Sequence, residues 1–322
     1  MPEERFLVTG ALGCIGAWTV CTLIRENVEV VAFDLASDRR RLELIMAPEE
    51  LERVTLVSGD VTDLSAIEQA LGEHGITHVV HLAALLIPLI KNDPPYGALV
   101  NVVGAVNVFE AVRRRREQVR GVAYASSVGA YGPDDADPAG GPLPADARGV
   151  PTTHYGVHKQ ANEGTARIYW LDERVPSVGL RPYILYGPGR DTGVTAAPSL
   201  AMAAAARGEP YHIPFGGRMH LQYAPDVARA FIAACRAADK GARVFNLGGS
   251  VVDMGEAVSA IEAAAPETAG RITFDDVQLP FPPEFESESL EAALGPLTWT
   301  PLAEGVRETV EHYRQQAALA PA

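Results

Sequence analysis

The sequence predicts an α/β fold, a doubly wound parallel sheet with a smaller C-terminal lobe. Three observations carry this. The first half alternates short, near-continuous apolar runs with helical stretches, the pattern of strands covered on both faces. A glycine cluster, TGALGCIG (9–16), joins the first run to the first helix. An acidic residue, Asp34, ends the second run, about twenty residues on.

Taken in order, RFLVTG (5–10) is an apolar run closed by glycine, and a helix follows from Cys14 to about Asn27. VEVVAFD (28–34), VTLVSGD (54–60), THVVHLAA (77–84) and RGVAYASS (120–127) read as the next strands. Helices are expected over SAIEQALGEHG (65–75) and over 95–116. Residues 132–153, dense in Pro, Gly, Asp and Ala, read as a loop. Helix resumes at Thr153 and carries Tyr155 and Lys159, and SVGLRPYILYG (177–187) reads as one strand. Beyond it come an Ala-rich helix near 197–207, a late strand at FNLG (245–248), a helix at 253–265 and a closing amphipathic helix, TPLAEGVRETVEHYRQQ (300–316). The division expected is a dinucleotide-binding domain, 1–185 with 226–265, and a substrate lobe, 186–225 with 266–322. There are no internal repeats.

Composition bounds the function. The 322 residues are 47% hydrophobic and 21% charged, an ordinary globular balance. A net charge of −14 disfavours nucleic acid and acidic membrane surfaces as partners. No continuous apolar run is long enough to span a bilayer, since LAALLIPLI (82–90) is short and broken by Pro88. The N-terminus is charged and enters a strand at once, unlike a signal peptide. Cys14 and Cys21 fall two helical turns apart, roughly 10 Å by helix rise, too far for a disulfide. A cytoplasmic protein is expected.

In TGALGCIG, Gly10 permits a tight turn, Gly13 lets backbone approach a diphosphate, and Gly16 allows close packing of helix on sheet. The free N–H groups at the helix start, from Cys14 and Ile15 onward, suit phosphate oxygens. A helix start also acidifies a thiol, though packing is the expected role of Cys14. The spacing is one residue longer than the best-known dinucleotide fingerprint. Asp34 is placed to accept hydrogen bonds from the adenosine ribose and to repel a 2′-phosphate, which selects NAD. Arg39, Arg40 and Arg41 are read as a solvated first helical turn.

Ser126 and Ser127 end the fifth strand, at the sheet edge where ligands sit in open α/β folds. Tyr155 and Lys159 are one helical turn apart, so both face one ligand. An ammonium beside a phenol favours the phenolate and eases proton transfer near neutral pH. A serine hydroxyl holds the substrate oxygen, and a nicotinamide exchanges hydride at the same carbon.

With these residues in place, the chain resembles an extended short-chain dehydrogenase/reductase of the NAD-dependent epimerase/dehydratase family. The likeness runs nearly end to end. It takes in TGALGCIG, Asp34, GDVTD (59–63), HLAA (81–84), NVVGAVNVFEA (101–111), ASSVGAYG (125–132), YGVHK (155–159), LRPYILYGPGR (180–190) and WTPLAEGVR (299–307). It implies a Rossmann sheet, Asp60 and Val61 at the adenine, and Leu82, Ala83 and Ala84 along the diphosphate and ribose. It implies that Lys159 also binds the nicotinamide ribose and that Tyr183 and Pro188 border the nicotinamide. Ser127, by its distance from Tyr131, takes the part of the catalytic serine rather than Ser126. Asn101 braces the site through water, and the family often dimerises through the helices that here begin near 95 and 153.

The departures narrow the chemistry. Family dehydratases carry Asp-Glu where this chain has Val128 and Gly129, neither of which carries a proton. Nucleotide-sugar epimerases carry an asparagine where this chain has Ile184, and an arginine-aspartate pair where it has Met219-His220. Two diphosphate handles are thus missing, with Arg190 and Arg218 as candidate substitutes. The apolar loop from Leu85 is expected to wall a substrate pocket also lined by Ser127, Val128, Tyr155, Arg190 and His220. No metal is expected, because His154 and His158 have helical spacing but no acidic partner nearby. Arg113 to Arg116 read as cations at a helix end.

The expected reaction is NAD-dependent oxidation or reduction of a secondary alcohol in a sugar, sugar acid or polyol. A sugar or nucleotide-sugar epimerase needs the same triad. An NAD-sensing protein without chemistry is a third reading, disfavoured because Tyr155 and Lys159 are both present.

Overall fold

The computed structural model describes residues 3–133 and 142–319. Twelve strands are formed: β1 (Arg5–Thr9), β2 (Glu29–Asp34), β3 (Thr55–Ser58), β4 (His78–His81), β5 (Gly121–Ala125), β6 (Ser177–Arg181), β7 (Ile184–Tyr186), β8 (Tyr211–Ile213), β9 (Arg218–Tyr223), β10 (Ala242–Asn246), β11 (Ser250–Asp253) and β12 (Ile272–Phe274). The helices are α1 (Cys14–Arg25), α2 (Arg40–Ile45), α3 (Pro48–Leu51), α4 (Leu64–Glu73), α5 (Ile87–Asn92), α6 (Pro94–Ala98), α7 (Gly104–Arg114), α8 (His154–Glu173), α9 (Ala197–Ala206), α10 (Ala224–Arg236), α11 (Met254–Ala264), α12 (Glu288–Leu294) and α13 (Leu302–Leu319).

Seven strands make one parallel sheet in the order β10-β6-β5-β4-β1-β2-β3. Its central strands read as unbroken apolar runs because both faces are covered: Phe6, Leu7 and Val8 are all buried. The strand order reverses between β1 and β4, which opens a crevice at their carboxyl ends. The expected Rossmann-type α/β fold is thus the observed one.

The run expected as a single strand at 177–187 is two. β6 stays in the central sheet, while β7 pairs with β9 in a second sheet of order β11-β9-β7. Pro182 lies between them and has no N–H for a ladder, so the chain changes sheets there. A β12-β8 pair completes the smaller assembly. There α9, α11 and α13 pack together over a core that includes Met202, Ile213, Met219, Ile261 and Val310.

Local signals explain the helix starts nearest the crevice. Asp63 caps α4 by accepting from the N–H groups of Ser65 and Ala66, and Thr153 caps α8 by accepting from Gly156. The helix expected over 95–116 is continuous from Pro94 to Arg114, with one π turn at Leu99–Val103. Its 21 residues are long and apolar enough to cross a membrane, which no single uninterrupted run in the sequence suggested. Half of it is buried, however, and Ala105, Val108, Phe109 and Val112 pack in the core. Part of the Pro- and Gly-rich loop expected at 132–153 lies outside the described residues, at 134–141.

Candidate active site

The glycine cluster closes the crevice from below. Gly10 has φ +67°, and a Cβ there would lie 2.6 Å from the Ala83 nitrogen. At Gly16 a Cβ would lie 2.2 Å from the Gly10 carbonyl oxygen, so α1 sits directly on the turn. Gly13 donates to Gly10 and receives Ala17, which leaves the first N–H groups of α1, at Cys14, Ile15 and Gly16, without helical acceptors. Gly13 ends the loop with no side-chain cap, so no capping side chain occupies those donors. At Cys14 burial pushes the thiol up to about 11, against the weaker pull of Arg190 and Arg41.

A cleft of about 330 Å³ opens beside this turn, lined by Gly10, Gly13, Asp34, Asp60, Val61, Leu82, Ala83, Ala84 and Leu85. These predicted residues are therefore brought together by the ends of β1 to β4. The Asp34 carboxylate accepts from Leu12 (2.9 Å) and Ala36 (3.0 Å), which fixes it across the mouth of the turn. Asp60 holds its own loop by accepting from Thr62. Asn101, in the π turn, grips both the N–H (2.7 Å) and the carbonyl (3.0 Å) of Leu85 and so sets the cleft wall directly.

Arg39 and Arg40 are the expected solvated helical start, but Arg41 is not. Arg39 pairs with Glu43 and Arg40 with Asp38 and Asp191. Arg41 is largely buried and binds Asp191 (2.5 Å), the Gly189 carbonyl (3.1 Å) and the Leu12 carbonyl (2.9 Å). Its guanidinium thus straps the loop after β7 onto the glycine turn. Trp18 adds a bond to the Pro188 carbonyl, and Gly189 donates to the Tyr313 hydroxyl. Sequence reading missed this strap because its partners lie about 150 residues apart.

At the carboxyl edge of β5, Ser127 accepts from the Gly129 N–H (3.0 Å), and its hydroxyl acts on the Tyr155 phenol, drawing its pKa down. A Cβ at Gly129 would lie 3.3 Å from Ser127 Oγ and 3.4 Å from the Tyr155 ring. Lys159 Nζ stands 5.4 Å from the centre of that ring and donates to the Ala125 carbonyl (2.7 Å). Burial pushes the ammonium down to about 8, with Glu163 opposing. The phenol is not acidified as expected: burial raises it, and only the Ser127 hydrogen bond and the Arg190 charge act the other way. The lysine ammonium lies over the phenol ring while its hydrogen bond goes to the backbone.

Ser126 points elsewhere. It donates to Glu163 (2.5 Å), which forms a two-point pair with Arg181 (2.7 and 2.8 Å). Arg181 reaches Tyr131, and Tyr131 reaches Asn246 (2.9 Å), so one buried chain of bonds ties α8 to β5, β6 and β10. Sequence reading missed Glu163, although its place one turn beyond Lys159 puts it on the same helix face.

The remaining predicted residues spread into the second core. Val128 and Tyr183 are buried there, and the Tyr183 hydroxyl has no partner among the described residues. His220 is buried too: its Nε2 accepts from Phe285 (3.2 Å), Nδ1 is unpaired, and burial pushes its pKa down to about 4. Arg190 donates to Thr195 (2.8 Å), and its buried Nε has no partner. No group of three metal-ligating side chains occurs among the described residues.

A glycine turn under a helix start, a ribose-side carboxylate and a Tyr/Lys/Ser cluster over the sheet edge define a dinucleotide-dependent enzyme of the Rossmann type. Residues 6–248 match the model of the NAD dependent epimerase/dehydratase family, and the chain belongs to that family. It is similar to a UDP-glucose 4-epimerase of Mycolicibacterium smegmatis, 30% identical over 97% of this chain and 99% of that one. Among solved structures it resembles a Thermus thermophilus UDP-glucose 4-epimerase in complex with NAD, 25% identical, with a TM-score of 0.77 over 97% of this chain and 99% of that one. A consensus L-threonine 3-dehydrogenase superposes with a TM-score of 0.84 over 97% and 100% at 23% identity, a likeness of fold. The protein is an NAD-dependent enzyme acting on CH–OH groups.

Proposed function

We propose that this enzyme transfers hydride between NAD and a secondary alcohol of a sugar, sugar acid or similar polyol. Tyr155 exchanges the hydroxyl proton, Ser127 orients the substrate oxygen, and Lys159 supplies positive charge beside the phenol. The observation that carries this reading is the placement of Ser127 Oγ and the Tyr155 ring side by side at Gly129, with the Ser127 oxygen already accepting from the Gly129 N–H. That leaves the pair ready to receive an alcohol oxygen between them.

NAD supplies the hydride acceptor. Gly10, Gly13, Cys14, Ile15 and Gly16 are assigned to its diphosphate, Asp34 to the adenosine ribose, and Asp60 and Val61 to the adenine. Leu82, Ala83 and Ala84 are assigned to its central stretch, and Tyr183, Pro188 and Lys159 to its nicotinamide end. Asn101 is assigned to the wall. A Cβ would fill the turn at Gly10, and the unblocked donors of α1 suit an anion, so these residues fit the group. With its three arginines engaged by carboxylates, the Asp34 end suits a ribose without a 2′-phosphate.

The substrate is assigned to the lobe of 186–225 with 266–322, against Leu85, Val128, Arg190 and His220. A substrate without a nucleotide is supported by the burial of Met219 and His220 and by the engagement of Arg218 with Glu284 and Asp253. Micromolar binding of UDP- or dTDP-sugars overturns that part.

Replacing Tyr155 by Phe tests the mechanism: turnover falls on the order of 10²-fold or more while NAD affinity holds. Unchanged turnover refutes the role. Epimerisation is the second reading, favoured by the relative similar over the whole chain, a UDP-glucose 4-epimerase. Absorbance at 340 nm separates the two, since an epimerase releases no free NADH.

A homodimer is supported by one apolar surface. Tyr96, Leu99 and Val103 recur along one helix, and Val157, Ile168 and Leu171 along α8, all exposed. A cytoplasmic setting is supported by three free cysteines.

A further inference from the structure

The loop after β7 carries a cation that no carboxylate among the described residues compensates. Arg190 is half-buried, yet among the described residues no carboxylate pairs with it. Its Nη2 donates to a neutral hydroxyl, Thr195 Oγ1, and its buried Nε has no partner among the described residues. Its neighbour Asp191 is the natural counter-charge. That carboxylate is instead turned away onto Arg40 and Arg41 by the strap. The chain has a net charge of −14, so a guanidinium without an acid is not a shortage of acids. A half-buried charge without a partner is costly, and the cost falls when an anion arrives.

Its position says where that anion belongs. The guanidinium acts electrostatically on Tyr155. A Cβ at Gly193 would lie 3.6 Å from Leu86 Cδ1 and 3.8 Å from Arg190 Nη2, so Arg190 borders the apolar wall that continues from Leu85. It also acts on Cys14, at the start of α1. The charge therefore reaches two places, the Tyr155 side of the crevice and the start of α1. The unblocked N–H groups of Cys14, Ile15 and Gly16 already serve the cofactor side. Arg190 has one neutral hydroxyl beside it, and its unpartnered Nε leaves a guanidinium edge that suits a monoanion with two oxygens.

We infer that Arg190 is the substrate's carboxylate receptor, so that the substrate is an acid bearing its secondary alcohol close to the carboxylate. This rests on Tyr155 being the proton-exchanging residue. The acid holds one end of the substrate against Nε and the free guanidinium edge, and the alcohol reaches the Tyr155–Ser127 pair.

The test measures binding by calorimetry to NAD-loaded protein, with two matched pairs of probes. These are D-glucuronate against D-glucose, and 3-hydroxybutyrate against butane-1,3-diol. The Tyr155→Phe background keeps binding separate from turnover. At least one acid is expected to bind at least tenfold more tightly than its neutral partner. Arg190→Gln is expected to remove that preference, a loss of about 10- to 100-fold for the acid, with the neutral probe and NAD unaffected. Arg190→Lys is expected to restore part of it. Equal binding of acid and neutral probes, or binding of neither, overturns the inference. So does a loss of NAD affinity in Arg190→Gln with the acid preference retained, which assigns the guanidinium to the cofactor diphosphate. Failure of the Tyr155 role is read independently, from turnover in Tyr155→Phe alone.

Discussion

Lys159 is a residue on which burial and chemistry pull in opposite directions. Its side chain is 3% exposed, and burial pushes the ammonium down to about 8 from an unfolded value near 10.4. The folded state therefore binds its proton less readily than the unfolded chain. The destabilisation is complete below the folded pKa and is lifted as pH rises from about 8 toward the unfolded value. At pH 7 its size is on the order of 3 kcal/mol. Lys159→Met is expected to abolish turnover yet melt no lower than the parent at pH 7. The melting-temperature gap should shrink or reverse by pH 10; a parent more stable at pH 7 than at pH 10 relative to the variant counts against it. Tyr155, Lys159 and Ser127 were legible in the sequence because four residues on a helix, or one strand end, fix their relations. The acidity of the phenol was not. It depends on where the ammonium points, and Lys159 donates to Ala125 rather than toward the hydroxyl.

The elements show the same division. The glycine turn was readable because each glycine meets backbone within its own segment or at the next strand end. Gly16→Ala places a methyl group against the Gly10 carbonyl, where backbone must move. A loss of about 1–3 kcal/mol in stability, together with weaker NAD binding, is expected from denaturant unfolding and titration. The strap was not readable, since Arg41 finds Asp191 across the sheet edge. Arg41→Met frees the loop from Gly187 to Gly193 and unpairs Asp191 at one point. NAD should leave faster by roughly tenfold, measured by stopped-flow displacement, with a stability loss of about 2 kcal/mol. An unchanged off-rate would show that the loop does not hold the cofactor. The short strands β8, β9, β11 and β12 escaped notice for a different reason. They are three to six residues long, and β9 is buried on both faces after its first residue, so no alternation marks it.

At the scale of the molecule, the central sheet was evident because parallel strands buried on both faces carry continuous apolar runs. The tie between α8 and that sheet was not, because a bonded chain through Glu163, Arg181, Tyr131 and Asn246 depends on residues far apart in sequence. The exposed apolar faces on α8 and on the helix from Pro94 to Arg114 yield a prediction at this scale. Ile168→Glu with Leu171→Glu should give a monomer by light scattering with the fold intact by circular dichroism. An unchanged mass, whether one chain or two, removes that surface as the dimer contact.

Gly129 sets the range of reactions within reach of single substitutions. The space beside it is already bordered by a serine hydroxyl, which must yield a few tenths of an ångström to any Cβ, and by a phenol ring that such a Cβ would just touch. An engineer who installs a carboxylate there to obtain water-eliminating activity disturbs the two groups that start the reaction. New chemistry on this scaffold is therefore easier to reach by rebuilding the loop after β7, where an arginine still waits for a counter-ion.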